Sequence, residues 1–427
     1  VLLAAGKQLE FLYAYFGAHL AGLVAVPLAE DTNPTRLAYV RETLKPFASI
    51  GFAPGMEGDT RRLEWSTFAA LDEVEATPDF PAPDAVADVL FTTGTTGAPK
   101  GVPLTFGNIA AAAAQINTYI RNAEEDVELL ALPISHSFGL GRVRCCLANG
   151  QTLILSGSFA NVKRIFRLLR EERVTGFSMV PASWALLRKL SGEALADFAG
   201  QLRYIEMGSA PFSADDKRHL AELFPTTRVT MHYGLTEASR SAFMEFHEDD
   251  KALASVGRAS PNVEIVICDE QGHVLPPGEE GEICIRGAHV TRGYLNVSND
   301  ATFYGDYFRT GDVGLLSPDG YLYLRSRLKE LINVGGKKVA PQEVDEQILK
   351  IPGVKDCACV GVPDPEGMLG EVVKACVVRE PGSELTFESI AAVLGTRLEA
   401  YKIPTVWAWV DEIPRTQNGK TQRGLLK

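Results

Sequence analysis

Residues Asp88 to Asn108 read DVLFTTGTTGAPKGVPLTFGN. Val89 to Phe91 form a short apolar run. Behind it stand Thr92, Thr93, Thr95 and Thr96, the glycines Gly94, Gly97 and Gly101, and Lys100. A strand feeding such a loop suits an oxyanion, because glycine lets backbone N–H groups close around the ligand while hydroxyls and an ammonium add donors. A polyphosphate is the expected guest. The spacing departs from the G-x-x-x-x-G-K-[ST] of P-loop NTPases, since Lys100 follows Gly97 by three positions and Gly101 follows the lysine. The stretch therefore predicts nucleotide binding of a kind different from an ordinary ATPase.

Upstream, residues 1 to about 56 alternate strand and helix in βαβ fashion, with a helix starting near Gln8, a stop at Gly22 and a second helix over Arg36–Lys45. Glu57 to Asp84 is more polar and reads as a crossing segment. Downstream, an alanine-rich helix over Asn108–Tyr119 leads into VELLALPI, the turn SHSFG, and further strand–helix repeats up to Leu190. QLRYIEMGSAPF and RVTMHYGLTEAS each place a strand ahead of a glycine-containing loop. In open α/β sheets ligands collect beyond the carboxyl ends of strands, so these two loops join the threonine loop as expected walls of one site. After Gly257 short alternating runs with turns at Gln271–Gly272, Gly278 and Asp319–Gly320 read as antiparallel β-structure. Beyond Arg327 a compact α+β region follows. The expected fold is α/β: a large N-terminal part of several subdomains, with mixed sheets and a β-rich subdomain, and a small mobile α+β domain. The expected boundary separates residues 1–326 from 327–427.

A chain of 427 residues exceeds one ordinary core, and 46% hydrophobic with 22% charged residues is usual for a globular protein. A net charge of −12 opposes general nucleic-acid binding. The seven cysteines contain no C-x-x-C pair, and Cys357 and Cys359 alternate along one strand. Buried thiols in a reducing, cytoplasmic compartment are the expectation. No H-E-x-x-H spacing points to zinc. The apolar N-terminus is interrupted by Lys7, Gln8, Glu10 and His19, which argues against a membrane segment and predicts no integral membrane association. The abrupt apolar opening without methionine suggests that residues precede Val1. Oligomeric state is left open by these features.

Five signatures occur in one order: FTTGTTGAPKG at 91–101, YGLTEAS at 233–239, YFRTGDVG at 307–314, SRLKELINVGGKKVAPQEVDE at 326–346 and PRTQNGK at 414–420. Together they resemble the adenylate-forming superfamily of acyl- and aryl-CoA synthetases, peptide-synthetase adenylation domains and luciferases, over nearly the whole chain. The resemblance implies that ATP and a carboxylic acid give an acyl-adenylate and pyrophosphate, and that a thiol then takes the acyl group. Coenzyme A is the expected acceptor, with the pantetheine of a separate acyl carrier protein as the alternative. It further implies that Thr92, Thr93, Gly94, Thr95, Thr96, Gly97 and Lys100 grip phosphate, and that Glu237 is the Mg2+ ligand. Tyr233 would lie against adenine, Thr236 near the α-phosphate, and Asp312 at the ribose hydroxyls. Arg327 would contact the nucleotide near a pivot at Lys329. Gly335 and Gly336 would line the pantetheine passage, and Lys420 would bridge carboxylate and α-phosphate. His136 matches a gate position beside the acid. The segment ISHSFGL lacks the acidic residue that amino-acid-activating relatives use for an α-amine, which favours an acid without one. Ser183, Trp184, Met207, Gly208, Ser209, Ala210 and His232 flank strand ends and are expected pocket residues. Ser326 and Phe106 stand where the family commonly has glycine and histidine.

Overall fold

The computed structural model describes residues 1–52, 60–69, 80–92, 99–248, 250–335, 337–416 and 419–427. By packing, the chain divides into a first unit, Val1–Ile265 with Ile285–Phe308, and a second, Val266–Cys284 with Arg309–Lys427. The first unit begins with a parallel sheet in the order Val26–Leu28, Leu2–Ala4, Ala48–Ile50, Arg61–Leu63. Its helices form where expected. Leu9–Leu20 buries Phe11, Ala14 and Tyr15, and Pro34–Leu44 starts behind Asn33, whose side chain accepts from Arg36 N. The strand Arg61–Leu63 falls inside the segment read as a crossing. Three residues paired to Ala48–Ile50 are too short to show a period, and only the neighbouring strand makes them a strand.

The central sheet is seven-stranded, in the order Arg258–Ala259, Ala242–Glu245, Arg228–Tyr233, Tyr204–Met207, Gly176–Met179, Val127–Leu130, Thr152–Leu155. The five strands from Arg228–Tyr233 to Thr152–Leu155 run parallel, and the other two close the edge antiparallel. Parallel strands present their carboxyl ends on one edge, so the chain leaving Leu130, Met207 and Tyr233 emerges on that side. The segment Val86–Thr92 pairs antiparallel with Lys100–Thr105, with Thr92 opposite Lys100 and Phe91 opposite Gly101. The central part of the threonine loop, residues 93–98, lies outside the described residues. Thr105 and Asn108 then cap the helix Phe106–Ile120 reciprocally, side chain to backbone in both directions.

The first unit also buries His289, at 2% exposure. Ser241 Oγ donates to Ala238 O, so His289 Nε2 must donate to Ser241 Oγ at 2.9 Å, which leaves Nδ1 a buried acceptor without a partner among the described residues. Protonating Nδ1 would bury an unpaired charge, and burial accordingly lowers the His289 pKa to about 4. The unfolded chain binds this proton more readily than the folded one, so stability is full above the ordinary histidine pKa near 6.5. It is then lost as pH falls from there toward 4. His289→Gln should flatten that part of the stability–pH curve by on the order of 2–3 kcal/mol, read from urea unfolding at a series of pH values. A variant whose curve parallels the wild type would contradict this assignment.

In the second unit the strand Tyr307–Leu316 continues from the first unit and turns back through Leu322–Arg327, with a register shift between Val313 and Gly314. Val354–Pro363 and Glu371–Arg379 pair antiparallel, and Val406–Trp409 lies parallel to the latter. Helices Pro341–Leu349 and Phe387–Leu394 supply Val344, Ile348, Ile390 and Leu394 to the same core as Cys357 and Cys359. Every cysteine of the chain is a buried free thiol, as expected from their patterning. The architecture is the expected one of mixed sheets with a smaller C-terminal α+β region. Among the described residues no helix is long and apolar enough to cross a membrane.

Candidate active site

In the first unit, Gly234 starts a loop so tight that a Cβ there would stand 2.3 Å from Arg240 N and 2.8 Å from Ala238 O. The turn is held by Leu235 and Ala238, whose backbones bond each other in both directions. This places Tyr233 and Glu237, each 7% exposed, at the carboxyl edge, with Thr236 half-buried between them. Glu237 O accepts from Thr291 N, and Glu237 Oε1 accepts from the Tyr294 hydroxyl at 2.8 Å. The Tyr294 ring carries Lys100 Nζ at 4.5 Å from its centroid, and Leu295 N donates to Gly101 O. Tyr294 thereby connects the lysine of the threonine stretch to the glutamate of YGLTEAS. It was missed in the sequence because a tyrosine in TRGYLN looks like an ordinary strand-end aromatic.

His136 is the N-cap residue of helix Ser137–Asn149, half-buried in an extended conformation. Thr92 ends its strand with its hydroxyl directed to Lys100 O at 3.4 Å. Thr93, Gly94, Thr95, Thr96 and Gly97 lie outside the described residues, as does Gly336.

The second unit carries the remaining positions. Asp312, 7% exposed, faces Arg327 across the strand pair, with Oδ1 at 2.8 Å from Arg327 Nε, and its backbone N–H bonds Thr310 Oγ1. Gly311 takes a φ of +71° ahead of it, which turns the carboxylate out of the regular pleat. Lys329 is exposed in the one-turn helix Leu328–Glu330, and Glu330 is tied by Arg423 at 3.1 Å, which also holds Asp345 at 2.6 Å. Gly335 has φ +56° at the turn between Ile332–Val334 and Lys337–Val339. Lys420 is exposed at the end of a loop closed by Thr416 N to Lys420 O and Lys420 N to Thr416 Oγ1. Arg415 braces that loop through Thr421 and Asp356.

One group of first-unit residues escaped the sequence reading. Across the face of the central sheet, Arg142 Nε donates to Glu128 Oε1 at 2.7 Å, and Tyr204 donates to Glu128 Oε2 at 2.6 Å. Arg240 Nε reaches Glu206 Oε1 at 3.1 Å, while its other nitrogens donate to the carbonyls of Ser137 and Phe138. Gly176 makes this possible, because a Cβ there would stand 2.2 Å from the Tyr204 ring that crosses it. Burial alone would raise the Glu206 carboxyl, but Arg240, then His232 and Arg142, outweigh it and hold it well below the usual carboxylate range. The available signal was a glutamate inside each of two apolar parallel strands, VELL and YIEM, since such a residue needs a buried partner.

Residues 1–295 match the AMP-binding enzyme family and residues 343–420 the AMP-binding enzyme C-terminal domain. The chain belongs to the AMP-binding enzyme family. A feruloyl-CoA synthase of Amycolatopsis sp is 31% identical over 437 residues, covering 98% of this chain and 86% of that protein. Among solved structures, ATP-bound MatB from Rhodopseudomonas palustris superposes with a TM-score of 0.90 at 29% identity, covering 100% of this chain and 87% of that one. An o-succinylbenzoate CoA synthetase from Bacillus subtilis, in complex with its acyl-adenylate intermediate, gives 0.89 at 27% identity with the same coverage. This AMP-binding enzyme is an AMP-forming acid–thiol ligase: it activates a carboxylic acid with ATP as the acyl-adenylate and forms the thioester with coenzyme A. ATP, Mg2+ and coenzyme A are its cofactors and co-substrates.

The Glu237 environment fits the metal. Oε1 is taken by Tyr294 and no described residue bonds Oε2. Among the described residues no cluster of three or more ligating side chains exists. A single carboxylate with one oxygen to spare suits Mg2+, which takes one or two protein carboxylates and completes its shell with phosphate oxygens and water.

Proposed function

We propose that the residues named above carry the two half-reactions, acting on a carboxylic acid that lacks an α-amino group. The observation that carries this reading is the Lys100–Tyr294–Glu237 connection, which couples a phosphate-loop cation to a carboxylate with a spare oxygen. Thr92, Thr93, Gly94, Thr95, Thr96, Gly97 and Lys100 hold the β- and γ-phosphates. Thr236 donates toward the α-phosphate, and Tyr233 lies against adenine. Asp312, paired with Arg327, takes the ribose hydroxyls. Glu237 would hold Mg2+, which supplies charge neutralisation on the phosphates. His136 borders the acid, and Gly335 and Gly336 leave room for the pantetheine arm. Adenylation needs no side-chain nucleophile, since the substrate carboxylate attacks phosphorus; the protein supplies position and positive charge.

The functional boundary falls at Arg327, with 1–326 as the adenylating part and 327–427 as the C-terminal part pivoting at Lys329. It separates roles in the two half-reactions, whereas the packing division runs through the β-rich region. A cytoplasmic home belongs to the same reading, supported by the buried thiols.

The test is acid-dependent pyrophosphate release over a panel of aliphatic and aryl acids, followed by mass spectrometry with coenzyme A and, separately, with a pantetheinylated carrier. An acyl-CoA product is expected; acyl transfer to the carrier alone would replace this reading. Glu237→Gln should lower pyrophosphate release by about 10²-fold at fixed Mg2+, with part of the loss recovered at high Mg2+. Unchanged Mg2+ dependence would remove Glu237 from the metal.

A further inference from the structure

His232 is the penultimate residue of the strand Arg228–Tyr233 and sits at the carboxyl edge, 8% exposed. Its Nδ1 lies 2.7 Å from Glu206 Oε1. The pair falls outside strict hydrogen-bond angles, yet two lone pairs facing at this distance would repel, so Nδ1 carries the proton and points it at the carboxylate. The other nitrogen, Nε2, meets no hydrogen-bond partner within the described protein. Its surroundings show where it looks. The Cε1–Nε2 edge lies over Gly208, where a Cβ would stand 2.1 Å from Cε1 and 2.4 Å from Nε2, and Phe138 meets the ring edge-on at 4.6 Å. Gly208 follows the strand Tyr204–Met207, and Phe138 follows the His136 turn. Both therefore belong to the carboxyl-edge loops where an acid would enter.

We propose that His232, oriented by Glu206, is a specificity-determining residue whose Nε2 accepts a hydrogen bond from a hydroxyl or N–H on the acyl substrate, so that the preferred acids carry such a donor. The inference rests on the acid-activating reading above and names the substrate class for that site. A neutral acceptor follows from the charge balance around the ring. Glu128 faces Arg142 and Glu206 faces Arg240, so two carboxylates are matched by two guanidiniums before His232 is counted. A proton on Nε2 would add an uncompensated charge, and burial lowers the His232 pKa against the opposing pull of Glu206. Phe138 and Phe243 meet the ring edge-on. One acceptor beside two aromatic rings discriminates strongly, because an acid without the donor leaves it buried and unmet.

The experiment compares acid pairs that differ only by a hydroxyl, aryl and aliphatic, with the hydroxyl moved stepwise away from the carboxylate, and reads kcat/KM for pyrophosphate release. Wild type should prefer one hydroxylated acid over its parent by at least about tenfold. His232→Phe, which keeps a ring against Phe138 but has no acceptor, should bring that ratio to near one with the KM for ATP little changed. Glu206→Gln is an independent arm: its amide oxygen stays beside Arg240 Nε and His232 Nδ1, so Nε2 remains an acceptor and the preference for the hydroxylated acid should persist. Equal kcat/KM within every pair in wild type, or a ratio surviving in His232→Phe, overturns the inference while leaving acid activation intact. A uniform loss over all acids with a raised KM for ATP also overturns it, since Nε2 would then face the adenine amino group. Absence of pyrophosphate release with every acid would overturn the underlying reading itself.

Discussion

Lys420→Ala should cut acid-dependent AMP formation by about 10²–10³-fold while ATP binding, followed by calorimetry or nucleotide fluorescence, changes little. The adenylation transition state brings a carboxylate against the α-phosphate, so two anions approach as pyrophosphate leaves. A positioned ammonium that bridges them acts mainly in the transition state, and its loss lowers kcat more than it raises KM. The local structure is suited to presenting that charge. The loop from Thr416 to Lys420 closes on itself through two backbone-anchored bonds, Gly419 turns it with φ +79°, and Arg415 fastens its base to Asp356. The lysine side chain itself is exposed. Thioester formation from chemically supplied acyl-adenylate should survive the substitution, because that half-reaction contains no attack on phosphorus. Equal losses in both half-reactions would point to a folding role for the tail.

The second large effect is expected in stability. Arg142→Met should cost about 3–5 kcal/mol in urea unfolding, because Glu128 would remain fully buried with only the Tyr204 hydroxyl and Cys146 thiol beside it. Burial opposes the Arg142 charge, and Glu128 more than restores it. The double variant Arg142→Met/Glu128→Gln removes both charges and should be clearly milder than the single change. A single variant within 1 kcal/mol of wild type would mean that water reaches this face of the sheet. The network also touches function. Arg240 spans from Glu206 to the carbonyls of Ser137 and Phe138, so the turn that carries His136 and the strand end that carries His232 share one buried anchor.

Much of this protein was legible without coordinates, for physical reasons. Helices such as Val162–Glu171 and strands such as Gly176–Met179 announce themselves through apolar period and length, and glycines at Gly22, Gly272 and Gly320 mark turns that need positive φ. The threonine stretch, the YGLTEAS turn and the Asp312 segment stood out because each is a contiguous motif in the chain. Arg61–Leu63 was not, since a three-residue strand exists only through its neighbour.

The sequence by itself determined the fold class, the order of the reactive loops and the family chemistry, all of which are written in contiguous runs. Only the tertiary structure decided that Tyr294 joins Lys100 to Glu237, that Glu206 orients His232, and that Arg142 and Arg240 lie buried in the sheet face rather than on a helix surface. These partners are between 14 and 194 positions apart. Local pattern cannot specify such pairs, because their energies depend on exclusion from water and on which neighbour neutralises which charge, quantities that exist only once the strands have been brought side by side.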